Sequence, residues 1–78
     1  MIYMELEKFV ADFANQFDDT DSSEITAETD YKNLDEWGSL IAFSVIAMVK
    51  VQYGKTVTGA EIRHCNTVKD LFILINAK

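Results

Sequence analysis

Proline is absent from this chain, glycine occurs three times and cysteine once. With so few breakers, little in the sequence stops a helix, and helices are the expected element. The lone Cys65 excludes an internal disulfide and a cysteine-rich zinc site. Nothing calls for an oxidising compartment, so a cytoplasmic location is the default expectation. Bases are scarce too: seven Lys and Arg against thirteen Asp and Glu give a net charge of -6. That balance repels phosphate backbones, argues against nucleic-acid binding and favours basic protein partners. Met1-Ile2-Tyr3-Met4 lacks a basic region and a long apolar core and meets Glu5 and Glu7 at once. It reads as neither a signal peptide nor a membrane span, and no membrane partner is expected.

What is present is a globular composition, 49% apolar and 26% charged, in 78 residues. This predicts one domain over 1–78, near the lower limit for a single core, with no room for the deep walled pocket of an enzyme. Leu6, Phe9, Val10, Phe13 and Phe17 recur at helical spacing and predict a first helix from Met4 to Phe17. DDTDSSEITAETDYKN then has no periodicity and reads as a long loop pinned to the core at Ile25 and Tyr31. Eight of the thirteen acids lie between Asp18 and Glu36, where Lys32 is the only base. Ser39 is a good N-cap for a second helix through Tyr53, with Gly54 just past its end. Thr58 and Glu61 have the capping-box form and open a short third helix of one or two turns. Thr67 and Asp70 offer a second cap before Val68, Leu71, Phe72 and Ile75, the apolar face of a last helix. The fold class is therefore all-α, a four-helix bundle of three longer helices and one short one, although Lys55 to Thr58 has some extended character.

The second helix is apolar on two sides. At about 100° per residue, Ala42, Val45, Ile46, Val49 and Tyr53 point to the core. Leu40, Ala47 and Val51 point away, with Ile41 and Met48 on a flank. Leu40, Ala47, Met48 and Val51 are accordingly expected to dock a partner. The competing reading has the first and last helices cover them. Ser39 itself has no base nearby in sequence, no GxSxG setting and no triad with the only histidine, His64. On local physics it is a helix cap. Asp19, Asp21, Ser23 and Asp30 fall at calcium-loop positions, but Glu24 stands where that loop needs Gly, so no metal site is expected. Cys65 reads as a small buried residue and His64 as a surface one. Phe9, Phe13, Phe17 and Phe72 read as core that also lines a subpocket for a carried chain.

Leu34-Asp-Glu-Trp-Gly-Ser-Leu40, Ile46-Ala-Met-Val49, Tyr53-Gly54, Thr58-Gly-Ala-Glu-Ile62 and Thr67-Val-Lys-Asp-Leu71 together closely resemble the acyl carrier protein family, over nearly the whole chain. The resemblance implies a bundle of acyl-carrier type whose Ser39 is esterified with phosphopantetheine by a holo-acyl-carrier-protein synthase. It implies a monomeric carrier, not an enzyme, that presents acyl or related thioesters to acyl-loading and acyl-processing enzymes of fatty-acid, polyketide or specialised biosynthesis. Asp35 and Glu36 join the docking residues in this reading. The alternative is a helical interaction module that is never modified, in which Ser39 is only a cap. There are two departures from the family pattern. Gly38 stands where an acid usually precedes the serine, and Lys50, Val51 and Gln52 stand where fatty-acid carriers are acidic, which points to different partners.

Overall fold

Phe9 and Phe13, four residues apart on one helical face, are both fully buried and organise the centre of the molecule. The computed structural model describes residues 5–78. Among these residues it has four helices and no strand: α1 Leu6–Ala14, α2 Ser39–Tyr53, α3 Gly59–His64 and α4 Val68–Asn76. α1 packs on α4 and α2, and α3 packs on α2. Phe9 meets Tyr53 and Phe72 at ring separations of 5.9 and 5.6 Å, so one side chain joins α1 to α2 and α4. Tilted and offset aromatic contacts of this kind add to simple area burial.

Three predicted helix boundaries have visible causes. Gly54 takes φ +66 and closes α2, its N–H bonded to Lys50 O, a conformation that favours glycine. Thr58 with Glu61 and Thr67 with Asp70 each form a complete capping box. At α4 the capping goes further. Val68 N–H donates to Thr29 O and Lys69 N–H to Ala27 O. With Asp70 N–H on Thr67 Oγ1, the first three amides of α4 are all satisfied, and the long loop is what supplies two of the acceptors.

α1 is shorter than the expected span. Met4 lies outside the described residues, and the C-terminal end comes at Ala14 instead of Phe17. Gln16 and Phe17 form tight bonds to Phe13 O and Ala14 O, and Phe17 still reaches the core. The amides beyond it are drawn elsewhere: Asp18, Asp19 and Thr20 donate to the carboxylate of Glu36. The loop after α1 contains two 3-10 turns, Ser22–Glu24 and Tyr31–Asn33. Ile25 and Tyr31 are its buried anchors, as their isolation in a polar segment suggests.

Tyr31 does more than fill space. Its ring meets Phe13 and Trp37, and its hydroxyl donates to the carbonyls of Ile62 and Cys65. Those carbonyls belong to the last turn and C-cap of α3, where no intrahelical donor exists. Lys32 adds its ammonium to Arg63 O at 2.8 Å. Burial, with the nearby charges of Asp70 and Asp30 acting the same way, pushes the Tyr31 phenol well above its ordinary value, so it remains a donor across the working pH range.

Tyr31→Phe removes one hydroxyl and leaves two buried carbonyls competing for water. The expected loss is about 1–3 kcal/mol, read as a lower urea midpoint at unchanged slope. For a domain of this size, each kcal/mol corresponds to a fall in Tm of about 4–8 °C. An unchanged midpoint would show that the hydroxyl does not hold α3.

Candidate functional site

α2 differs from α3 and α4 at its start. The N-cap position is Gly38, not Ser39, and no side chain caps it. Ser39 is the first helical residue, so the cap role expected from sequence is corrected. Helical dihedrals at that position carry its hydroxyl away from the amides of the next turn, whereas an N-cap residue needs extended dihedrals to reach back. The Ser39 side chain is exposed, and among the described residues its hydroxyl has no hydrogen-bond partner. The first bond of α2 is Ala42 N–H to Gly38 O, which leaves the amides of Ser39, Leu40 and Ile41 open. An open helix start carries the positive end of the dipole and suits an anion.

Gly38 is extended, φ -178 and ψ -174, a conformation any residue adopts. A Cβ there would meet nothing within 4 Å. Neither backbone nor packing therefore demands glycine at the position where the resembling family has an acid.

Beside Ser39 lies a groove of about 320 Å³ between α2 and α3, lined by Trp37, Gly38, Ser39, Ala42, Phe43, Ile46, Gly59, Ile62 and Arg63. Its walls are mainly apolar, and Arg63 is the one charged residue on them. The groove corrects an expectation. Phe9, Phe13, Phe17 and Phe72 pack with the core and line none of it; Phe43, Ile46 and Ile62 do. Trp37 serves both ways, forming a wall of the groove while lying parallel to Phe13 at 6.3 Å.

The outward face of α2 is open. Leu40 is 76% exposed, Val51 78%, and Ala47 is exposed, so α1 and α4 do not cover these residues. Met48 is the exception among the expected docking residues. It is 7% exposed and sits in the core with Ile41, Val45, Val49 and Tyr53. α2 is turned so that its buried stripe is 41, 45, 48 and 49. Ala42 and Ile46 are half-covered because the α3 beside them has only six residues. Phe43, 67% exposed, was not singled out from sequence, although it lies three residues after Leu40 and four before Ala47. Arg63 was also missed, since only the folding of α3 against α2 brings it to the groove that Ser39 lines.

Asp35 and Glu36 differ in kind. Asp35 is exposed. Glu36 accepts the amides of Asp18, Asp19 and Thr20 and the Thr20 hydroxyl, so its carboxylate is committed to the loop. These two residues, with Asp19, Thr20, Glu24, Asn33 and Leu34, surround a second, acidic hollow of about 530 Å³. Two calcium-loop positions are engaged in local turns: Asp21 Oδ1 accepts Ser23 N–H, and Asp30 Oδ2 accepts the Asn33 amide. Among the described residues no group of three His, Cys, Asp or Glu is placed to hold a metal ion. His64 is exposed, while Cys65 is buried and its thiol is pushed up by that burial. Among the described residues no helix is long and apolar enough to cross a membrane.

Burial works to raise the Glu36 carboxyl, but the hydrogen bonds from Asp18, Thr20 and Asp19 outweigh it and hold the group below its ordinary value of 4.5. The folded value is the lower one, so its contribution is complete above about pH 4.5 and is lost as pH falls through the folded value. In Glu36→Gln the protection of the Asp18, Asp19 and Thr20 amides is expected to fall about tenfold at neutral pH. The acid-dependent loss of that protection, followed by hydrogen-exchange NMR, should vanish with it. Equal protection in the variant would show that the charge is not what holds the loop.

Comparisons of the chain with protein-family models, curated proteins and solved structures give no match.

Proposed function

We propose that the protein is an acyl carrier, modified with phosphopantetheine on Ser39 by a holo-acyl-carrier-protein synthase. The observation that carries this reading is the state of Ser39: exposed, free of any capping bond, and first in a helix whose leading amides are open. The alternative, an unmodified interaction module, gave Ser39 the work of a cap. Gly38 occupies that position, and Ser39 is left without a structural task.

The residues suit the group. Ser39 Oγ forms a bond to the phosphorus of the phosphopantetheinyl moiety of coenzyme A as the bond to 3′,5′-ADP breaks, and its proton passes to the synthase. The resulting phosphodiester sits at the open helix start, where the dipole favours its negative charge. When bound, the arm supplies a thiol that carries cargo as a thioester. The groove between α2 and α3 begins at Ser39 and offers apolar walls for the cargo, with Phe43, Ile46 and Ile62 excluding water along its length. The chain's own part is to bind, orient and shield; the partner enzymes perform the reactions, and the carrier acts as a cytoplasmic monomer. Leu40, Phe43, Ala47 and Val51 are the surface those enzymes meet, with Asp35 at its N-terminal side. The cargo class, whether fatty acyl, polyketide or aminoacyl, is set by the loading enzyme.

Incubation with coenzyme A, magnesium and a broad-specificity synthase should raise the intact mass by one phosphopantetheinyl group. Ser39→Ala should show no gain; a gain that survives the substitution, or none in the parent protein, would end the proposal. Gly38→Asp restores an acid in a position with room for it. It should quicken modification about tenfold, the effect of one favourable charged contact of about 1.4 kcal/mol with the synthase.

A further inference from the structure

None of the fifteen residues of α2 is acidic, and Lys50 is its only charged one. Leu40, Phe43, Ala47 and Val51 follow one another at three- and four-residue steps and form a single exposed ridge. Arg63, from α3, shares the groove with Phe43 and so borders that ridge. Among the described residues neither Lys50 nor Arg63 forms an ion pair. Most of the acids that give the chain its net charge lie between Asp18 and Glu36, and of these the exposed Asp35 borders the N-terminal side of this surface. Along α2 beyond Ser39, global charge and local charge thus have opposite signs.

We infer that α2 recognises a partner patch that is apolar at its centre and rimmed by carboxylates, the reverse of the basic partner that a net charge of -6 suggests. This deepens the carrier reading and rests on it, since α2 is taken there as the face that partner enzymes meet. Complementary rims steer association and reject wrong partners, and the apolar ridge supplies the desolvated centre. A second copy of the chain is a poor occupant. A stable dimer buries about 800 Å² per subunit, far more than one four-residue ridge offers. A two-fold contact through this face would also bring Lys50 and Arg63 towards their own counterparts.

The test uses two designed amphipathic helical peptides with the same leucine stripe, one flanked by Glu and one by Lys, titrated into the isotope-labelled full chain. The Glu-flanked peptide should shift the amide signals of Leu40, Phe43, Ala47 and Val51 and bind there about tenfold more tightly than the Lys-flanked one. Combining Lys50→Glu with Arg63→Glu, both at exposed positions, should reverse the order. Equal or tighter binding of the Lys-flanked peptide on α2 would overturn the inference. So would an unchanged order in the double variant, absence of α2 shifts with both peptides, or concentration-dependent α2 shifts without peptide. Unmodified protein suffices for every arm. A failed mass gain would therefore strike the carrier reading alone, and a failed peptide preference this inference alone.

Discussion

Tyr31 places its hydroxyl on the open carbonyls of Ile62 and Cys65, and the position of α3 that results decides what α2 can bury. α3 has six residues, too few to cover a helix of fifteen. It shelters Ala42 and Ile46 halfway and leaves the groove beside Ser39. On the other side, where α1 packs against α2, Ile41, Val45, Met48 and Val49 are buried in the core. A chain of this size cannot wrap a helix that is apolar all round. The groove and the exposed ridge are two consequences of that one geometric shortage, and both begin in the first turn of α2.

The long loop is built to hold α3 and α4 as well as to cross the bundle. Its carbonyls at Ala27 and Thr29 satisfy the first amides of α4, its Tyr31 and Lys32 satisfy the last carbonyls of α3, and its Trp37 stacks over Phe13. Gathering eight acids into such a segment is tolerable because most of them face water, and Glu36 offsets its own burial by taking three amides. The same gathering clears acids from α2. A strongly acidic protein therefore presents a helix with no acid on it, which composition alone conceals.

The features legible in the sequence were those with local causes. The bounds of α2, the left-handed Gly54 and the two capping boxes follow from residues within four positions of one another. Ile25 and Tyr31 were legible as anchors because each stands alone among polar neighbours. What escaped depends on contacts distant along the chain. The end of α1 is fixed by Glu36, sixteen to eighteen residues away from the amides it takes. Met48 is turned inward by how α2 as a whole packs into the core, a rotation that a helical wheel leaves free. Arg63 reaches the groove that Ser39 lines only through the fold. The cap was misplaced by one residue because serine's general liking for caps outweighed glycine's, while the extended Gly38 shows that the helix begins one step later.

That one-residue difference gives Gly38 a physical meaning. Glycine there is required by neither dihedral angles nor crowding, and an Asp or Ser in its place would cap α2. Capping would fill one of the amides that now stand open beside Ser39. Glycine leaves all three open and the hydroxyl unshared, at a cost to helix stability of a few tenths of a kcal/mol. An acid would also add negative charge where the carrier reading places a phosphodiester. A helix start that keeps its donors free is therefore better matched to the phosphodiester once it is formed on Ser39, whereas an acid at position 38 acts earlier, on the approach of the synthase. In the resembling family, the acid at this position is expected to help the modifying enzyme engage the carrier. On the carrier reading, that help would have to come from elsewhere on the surface, and the nearest contact surface the fold supplies is the apolar ridge that starts at Leu40.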